Sequence, residues 1–260
     1  MKPLEYPADH WAKDYDPRSA LEKSARLGSL PFNVVEWDMF TGLLPASLSG
    51  RTVLDYGCGV GDLSLFCARR GATVLGVDRS EAGIKTGEYQ AAGEGLTDRC
   101  RFEVRPDIGE GRYDFVLAKD VIEHIQDDER WLAGVAAVLK PNGVFIFSTH
   151  NDRCLNYLIE GTYHRWWRRE KSWMGWDPTH VRFYNAWSLS RLLKKHGFAV
   201  QRWASMWIIP YNILHWLTLF KLDVTLPCLG RFDRRFGKYP PFNKLGWGLM
   251  AVCTRMDSRR

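Results

Sequence analysis

A chain of 260 residues, 45% of them hydrophobic, can bury a full core and is most simply one large α/β domain. Its formal net charge of +6 suits an anionic partner or a membrane surface. Residues 1–16 have neither the apolar run nor the Arg/Ser-rich pattern of a targeting peptide, and the cysteines form no C-x-x-C pair. Export is therefore not expected, and we predict a cytoplasmic protein with reduced thiols.

The first two thirds of the chain alternate between apolar runs and helical patterns. Two helix-like stretches come first, at about 17–27 and 33–44. We then predict strands at 52–57, 72–78, 100–104, 113–119 and 143–150, and helices at 61–70, at 80–91 and in a segment that ends near Lys140. Continuous apolar runs, most of them followed by a helix, indicate a parallel sheet with helices on both faces.

The composition changes after residue 150. The segment 151–179 holds four of the twelve tryptophans together with a cluster of arginines. A helix at 186–196 and strands at 198–206 and 246–255 follow, with an aromatic and basic insertion at about 208–243 between the strands. The two late strands can form an antiparallel pair at the sheet edge. We therefore predict a doubly wound, mostly parallel seven-stranded sheet with an antiparallel edge strand and a helical, aromatic insertion.

The stretch "VLDYGCGVGDLS" at 53–64 contains a glycine turn that departs from the dinucleotide-binding pattern. Where that pattern has its last glycine, this chain has Asp62. A strand that runs into a glycine turn lets the backbone approach a ligand, and the next helix offers unpaired N–H groups to a negative group. Asp62 would repel a pyrophosphate. A ligand with a carboxylate and an ammonium group fits better, because Asp55 and Asp62 can attract its cationic part.

Two further acidic positions extend this ligand. Asp78 ends the second strand, where a carboxylate can accept both hydroxyls of a ribose. In "RPDI", after the third strand, Asp107 can accept from an adenine amino group and Ile108 can pack on the ring. Together these features select a ligand made of adenosine and an amino acid.

Four segments carry a family resemblance: "VLDYGCGVGDLS", "VLGVDRS", "YDFVLAKDVIEHI" and "LKPNGVFIFSTHN". They resemble motifs I, post-I, II and III of the class I S-adenosylmethionine-dependent methyltransferases, over about 50–150. "DVIEH" and the later "DPTHVRFYNAWSLSRLLKKHGF" are similar to the ubiquinone-biosynthesis type of O-methyltransferase. The resemblance implies a helical cap at 1–50, an S-adenosylmethionine-binding core at 51–150, and substrate-binding insertions with the rest of the sheet at 151–260.

The resemblance also implies roles for single residues. The methionine moiety would lie along the glycine turn, the ribose on Asp78, the adenine on Asp107 and Ile108, and the sulfonium beside Ala118 and Lys119. The full predicted cofactor site comprises Asp55, Gly57, Cys58, Gly59, Asp62, Asp78, Arg79, Asp107, Ile108, Ala118 and Lys119. Lys119 departs from relatives, which often have a neutral residue there. Because a cation beside a sulfonium is unfavourable, we expect its side chain to turn away or to meet the substrate.

Two hypotheses describe catalysis. The sulfonium is already a strong electrophile, so alignment matters most, but an oxygen nucleophile often also needs a base or a metal. In a helix beginning at Asp120, that residue, Glu123 and His124 would share one face and, with His180, could hold a divalent ion. This pattern resembles small-RNA 2′-O-methyltransferases. Otherwise Glu123 and His124 orient the loop, Asp120 caps a helix, and His180 or His150 is the base.

The substrate is expected at the tryptophan- and arginine-rich segment that follows residue 150. The predicted substrate-binding residues are Trp166, Trp167, Trp173, Trp176, Arg182 and Tyr184. The stretch "YHRWWRREKSWMGWDP" suits a lid over a hydrophobic substrate or a membrane interface, and it suits nucleic acid less. Residues 203–220 are uncharged, but Pro210, Asn212 and His215 argue against a membrane-spanning helix, so interfacial docking or a tunnel wall is favoured.

The sequence thus predicts a methyltransferase that moves a methyl group from S-adenosylmethionine to an oxygen of a hydrophobic or aromatic small molecule, such as a quinone, a lipid-linked precursor or a natural product. The alternatives are RNA 2′-O-methylation and N-methylation of a natural-product amine. From another class, the rival is a degenerate methyltransferase fold that acts as a binding module. Intact Gly57, Gly59 and Asp78 favour the enzyme.

Overall fold

A computed structural model describes residues 16–209 and 227–256, apart from 174, 176 and 178. The strands are β1 (Thr52–Tyr56), β2 (Thr73–Asp78), β3 (Cys100–Val104), β4 (Tyr113–Ala118), β5 (Leu139–His150), β6 (Phe198–Met206) and β7 (Gly248–Arg255). The helices are α1 (Pro17–Gly28), α2 (Pro31–Thr41), α3 (Asp62–Arg69), α4 (Glu81–Gly93), α5 (Asp128–Val138), α6 (Leu155–Thr162), α7 (Ala186–Lys195) and α8 (Pro227–Phe236).

The strands form one sheet in the order β3-β2-β1-β4-β5-β7-β6. The first five strands are parallel, whereas β7 runs antiparallel to both β5 and β6. This arrangement confirms the predicted doubly wound seven-stranded sheet with its antiparallel pair at one edge. Because β7 enters between β5 and β6, the last strand of the chain is not the outermost one.

Buried apolar residues cover both faces of the sheet. One cluster gathers Trp131 of α5 with Phe145 and Phe147 of β5. The other joins Phe40 of α2 with Phe102 of β3 and also takes in the inner sides of α3 and α4. The strand order reverses between β1 and β4, so a crevice opens at the carboxyl ends of these two strands. Any ligand of the core is expected there.

The predicted elements differ from the structure mainly around motif II and after residue 150. The prediction of a helix that begins at Asp120 is wrong, because a short 3₁₀-helix at Ile122–His124 follows β4 instead. Asp120 has a left-handed backbone (φ 53°), and its N–H donates to the Ser148 hydroxyl over 2.9 Å, so it cannot open a helix. In the tryptophan-rich segment after residue 150, α6 continues into a π-helix at Tyr163–Trp167, and the sequence pattern predicted no helix limits there.

None of the helices within the described residues has both the length and the apolar content needed to cross a bilayer. Of the uncharged run at 203–220, residues 210–220, including the three that argued against spanning, lie outside the described part of the chain. The prediction of interfacial docking by that run therefore stays a prediction.

Gly61 closes the turn before α3 with a backbone that only glycine adopts easily (φ 92°). A Cβ there would lie 2.7 Å from Cε1 of Phe102 and 3.2 Å from Cα of Gly87. We expect Gly61→Ala to lower the free energy of unfolding by about 2–4 kcal/mol, measured by urea denaturation. Gly95 is the matched control, because it has φ 67° with nothing within 4 Å, and its alanine variant should lose only about 1 kcal/mol. Equal losses at both positions would contradict the packing argument.

Candidate active site

The glycine turn between β1 and α3 is held against the end of β2. The N–H of Gly57 donates to the Val77 carbonyl over 2.8 Å, and the N–H of Gly59 donates to Oδ2 of Asp78 over 2.8 Å. Gly57 has φ 77°, and a Cβ there would lie 2.6 Å from a methyl group of Val121. The turn therefore brings bare backbone to the crevice, and the close approach to a ligand stays a prediction.

The two carboxylates around the turn have different surroundings. Asp55 is buried on β1, and its Oδ2 accepts from the Ser64 hydroxyl over 2.6 Å. Burial raises the pKa of Asp55 to about 7. Asp62 begins α3, and its Oδ2 accepts from the Ser24 hydroxyl of α1 over 2.8 Å. Asp62 thereby ties the N-terminal helix over the glycine turn.

A cavity of about 700 Å³ lies between this turn, the first two helices and the ends of β1, β2 and β4. Its walls include five carboxylates and two cationic side chains: Glu36, Asp55, Asp62, Asp78, Asp120, Arg69 and Lys119. Gly57, Cys58 and Gly59 line it as well. Such an acidic wall suits a ligand that carries positive charge.

A second cavity, of about 100 Å³, adjoins the first across Gly57, Asp78 and Asp120, which line both. Its other walls are made by Tyr56, Val77, Arg79, Arg105, Val121, His124 and Ile125. The predicted ribose residue Asp78 thus stands between a larger and a smaller space.

The residues predicted to hold the adenine, Asp107 and Ile108, are not on the walls of these two cavities, and their role stays a prediction. Asp107 is exposed, and Ile108 is packed in the core with α5. The Tyr56 hydroxyl instead fixes that loop by donating to the Pro106 carbonyl over 2.8 Å. Ala118 is fully buried in the core, so its side chain is not at the surface of the site.

The Lys119 side chain, which the sequence predicted to turn away or to meet the substrate, lines the large cavity and pairs with two carboxylates there. Its Nζ lies 2.7 Å from Oε2 of Glu36 and 2.5 Å from Oδ2 of Asp120. Sequence reasoning missed Glu36, which belongs to α2 and is only 8% exposed. A buried acid within the apolar run of a helix was the one available signal, since such residues are almost always paired.

A buried carboxylate and a histidine meet at the carboxyl ends of β4 and β5. Nδ1 of His150 lies 2.9 Å from Oε1 of Glu123, and the Thr149 hydroxyl donates to Oε2 of Glu123 over 3.0 Å. Burial opposes protonation of His150, but its hydrogen bond with Glu123 and the charges on Asp120 and Glu36 raise its pKa overall. The pair is therefore close enough to the large cavity for that cavity's carboxylates to act on it.

His180 lies between the other two histidines of the site. Its ring centroid is 4.7 Å from that of His150 and 4.8 Å from that of His124. Burial, together with the charge on His150, lowers the pKa of His180 to about 4, so its ring is neutral near pH 7. Its Nδ1 is buried without a hydrogen-bond partner among the described residues.

The predicted metal ligands do not form one set. Two groups of three described residues could hold an ion: Glu123 with His150 and His180, and His124 with Asp177 and His180. Glu123 and His124 fall in different groups. Asp120 belongs to neither group. One of its carboxylate oxygens faces Lys119, and the other accepts from the Ser148 hydroxyl over 2.7 Å.

The predicted substrate residues are spread over two regions. Arg182 and Tyr184 both bind Oδ2 of Asp128 at the start of α5, over 2.7 and 2.8 Å, and so hold the insertion against the core. Trp166 and Trp167 project into solvent, at 84% and 83% exposure. Trp173 stacks on His164 with the ring centroids 4.8 Å apart, and Trp176 lies outside the described residues.

The parallel sheet, the glycine turn and the acidic cavity together indicate the class of protein, an S-adenosylmethionine-dependent methyltransferase. The family described as "Methyltransferase domain" matches residues 37–202, and the chain belongs to this family. The match confirms the predicted class and, with it, S-adenosylmethionine as the cofactor.

Similar proteins share parts of this chain. The chain is 40% identical over 113 residues to the ubiquinone biosynthesis O-methyltransferase of Caulobacter vibrioides. The matched residues cover 42% of this chain and 45% of the relative. The protein of the same name from Leptothrix cholodnii is 32% identical over 154 residues, covering 56% and 62%. The chain thus spans between about half and three fifths of the curated relatives it matches.

Among solved structures, the chain resembles the magnesium protoporphyrin IX methyltransferase from Synechocystis PCC 6803 with bound S-adenosylhomocysteine. The TM-score is 0.54 at 20% identity, over 90% of this chain and 87% of the other. At this identity the likeness supports the fold and carries no statement about the substrate.

Proposed function

We propose that this chain transfers the methyl group of S-adenosylmethionine to an oxygen of a hydrophobic or aromatic small molecule. The observation that carries the proposal is the pair of His150 and Glu123, 2.9 Å apart at the carboxyl ends of the strands. A hydroxyl loses its proton when its oxygen is methylated, and a histidine oriented by a carboxylate can accept that proton. The names of the relatives support an acceptor of the quinone-precursor type.

The arrangement suggests a single displacement. The acceptor oxygen attacks the methyl carbon, the carbon–sulfur bond breaks with its electron pair on sulfur, and Nε2 of His150 takes the proton. Because the Glu123 carboxylate can only accept, it holds Nδ1 of His150 as the donor and leaves Nε2 as the base. Most of the acceleration comes from holding oxygen, carbon and sulfur in line, since the sulfonium is already reactive.

A divalent ion is the competing way to activate the oxygen. The group of Glu123, His150 and His180 has carboxylate and imidazole donors suited to such an ion. The buried Nδ1 of His180 makes no hydrogen bond among the described residues. An ion there would act as a Lewis acid on the acceptor oxygen. Both carboxylate oxygens of Glu123 are already hydrogen-bonded, however, so we favour the base.

The acceptor class is tested with matched small molecules. Phenols and catechols that carry an apolar tail should gain one methyl group on oxygen from labelled S-adenosylmethionine, detected by mass spectrometry, while the corresponding anilines should not. Methylation of the anilines alone would replace the proposal by N-methylation, and methylation of an RNA 2′-hydroxyl alone would replace it by RNA modification. Cofactor binding without transfer to any of them would indicate a binding module.

We also propose that the chain touches anionic membranes through an aromatic–basic surface. This surface consists of the exposed apolar side chains of α6 and the π-helix with the arginines beside them: Leu155, Leu158, Ile159, Trp166, Trp167, Arg168 and Arg169. Exposed tryptophans prefer the headgroup region of a bilayer, and arginines add attraction to anionic lipids. A hydrophobic acceptor would be available at the same surface.

The membrane proposal predicts co-sedimentation with vesicles of anionic lipid at low salt, weakened at high salt. Replacing Trp166 and Trp167 together by alanine should lower the bound fraction about tenfold or more, because both side chains lose their apolar contact. Trp187 of α7, which is 70% exposed outside this surface, is the matched control and should be replaceable without effect. Binding that survives the double substitution would rule this surface out.

A further inference from the structure

Three ionisable side chains, two carboxylic acids and one amine, meet in the large cavity. Lys119 Nζ lies between Oε2 of Glu36 at 2.7 Å and Oδ2 of Asp120 at 2.5 Å, and all three residues line the cavity beside the glycine turn. We call Glu36, Lys119 and Asp120 the charge cluster. One cation against two carboxylates gives it one net negative charge when both acids are ionised.

The fold holds this cluster in place from three directions. Lys119 and Asp120 directly follow β4, and both side chains line the cavity. Ser148 of β5 accepts from the Asp120 N–H over 2.9 Å and donates to its carboxylate over 2.7 Å. Glu36 comes from α2, which packs against β6 and α8. Taking charged groups out of water is costly, and these hydrogen bonds and ion pairs offset part of that cost.

The cofactor changes charge once during the reaction. S-adenosylmethionine carries a permanent positive charge on sulfur, and loss of the methyl group leaves S-adenosylhomocysteine with a neutral thioether. The carboxylate, ammonium, ribose and adenine are the same before and after. A site that distinguishes substrate cofactor from product cofactor must therefore do so through the methyl group or through this charge.

We propose that the charge cluster makes the cavity prefer the sulfonium of S-adenosylmethionine over the thioether of S-adenosylhomocysteine. Glu36 supplies the second negative charge, which turns an unfavourable Lys119 into part of a cation site. The attraction to the cluster disappears when the methyl group is transferred, so the product is bound less tightly than the substrate cofactor and leaves more easily. The inference rests on the binding of S-adenosylmethionine in the proposed function, and it needs nothing from the acceptor.

The test measures both cofactors by calorimetric titration of the full chain. Burial and the neighbouring Asp120 raise the pKa of Glu36, so the titrations are made at about pH 8.5, where its carboxylate is ionised. Glu36→Gln keeps the shape of the side chain and brings the cluster to zero net charge. This variant should lower the affinity for S-adenosylmethionine about tenfold, as expected for the loss of one charge contact. It should change the affinity for S-adenosylhomocysteine by less than about twofold.

A second substitution separates charge from damage. Adding Lys119→Met to Glu36→Gln leaves Asp120 as the one charged member and restores a single net negative charge. The preference for S-adenosylmethionine should return to within about threefold of the original. Structural damage would instead accumulate in the double variant, so a preference that stays lost or falls further would overturn the proposal.

Asp38→Asn is the matched control on the same helix. Asp38 lies outside the cavity wall and pairs with Arg234 of α8 at 2.7 Å, so its loss loosens α2 without touching the cluster. The ratio of the two affinities should not change in this variant. An equal change in Asp38→Asn and Glu36→Gln would overturn the inference. Failure of the original chain to bind S-adenosylmethionine at all would instead count against the proposed function.

Discussion

His150→Ala is expected to lower turnover by about a hundredfold or more while S-adenosylmethionine affinity stays within about twofold. His150 is 2.9 Å from the buried Glu123 carboxylate and does not line the cavity that holds the glycine turn. Removing it therefore takes away proton transfer and leaves cofactor contacts in place. Single-turnover rates with a phenolic acceptor, together with calorimetric titration of the cofactor, measure the two quantities separately. A variant with unchanged turnover would exclude His150 as the base.

The role of His150 as a base also predicts the direction in which activity changes with pH. The raised pKa of His150 means that its neutral, base form becomes populated only above the usual value of 6.5, so kcat/KM should rise with pH through that raised pKa and then level off. Glu123→Gln removes the carboxylate that favours the imidazolium. The rise should then move to lower pH, and the plateau should fall because the ring is less well oriented. Glu129→Gln, on the exposed start of α5, should leave the profile unchanged.

A chelator separates the base from the metal. If His150 acts alone, prolonged treatment with chelator should leave turnover unchanged. In that case His180→Ala should lower turnover less than His150→Ala does. If Glu123, His150 and His180 hold an ion, activity should vanish with chelator and return with a divalent metal. In that case alanine at either histidine should abolish the response to metal. Loss and recovery of this kind would replace the base by the ion.

Local patterns were enough to predict the centre of the fold. The strand, turn and helix at 52–69 need only neighbouring residues: an apolar run, the positive φ of Gly61 and a helix with an acid in its first turn. Asp78 is at the carboxyl end of the next parallel strand, so the doubly wound topology brings it to the same crevice. For these residues, local sequence patterns predict both the secondary-structure element and the edge of the sheet at which the side chains lie.

Other parts of the site depend on contacts that no local pattern encodes. The pairing of Lys119 with Glu36 joins β4 to a helix of the N-terminal segment, and the apolar residues around Glu36 hide its role. The spacing of Asp120, Glu123 and His124 suggested one helical face, but Ser148 captures Asp120 and the chain forms a single 3₁₀ turn. The meeting of Glu123 with His150 follows from adjacent parallel strands and could have been inferred from the predicted sheet order.

Asp78→Ala is expected to weaken the binding of S-adenosylmethionine by roughly 1.5–3 kcal/mol, which is the scale of a hydrogen bond to a charged group. The Asp78 carboxylate ends β2 between the two cavities, where it can accept from both ribose hydroxyls. Calorimetric titration measures the change. Glu81→Ala is the matched control, because this exposed carboxylate begins the next helix and pairs with Lys85 outside the cavity wall. Unchanged affinity in Asp78→Ala would remove the residue from the cofactor site.

A loss of affinity in Asp78→Ala has two physical origins, because the carboxylate also accepts from the backbone N–H of Gly59 and of Ser80, each over 2.8 Å. Releasing the glycine turn would disturb the methionine end of the cofactor, whereas losing the acceptor would disturb the ribose. 5′-Methylthioadenosine distinguishes them, since it keeps the ribose and adenine and lacks the amino acid. We expect it to lose about as much free energy of binding as S-adenosylmethionine does. A loss confined to S-adenosylmethionine would mean that Asp78 acts by holding the turn and that another group binds the ribose.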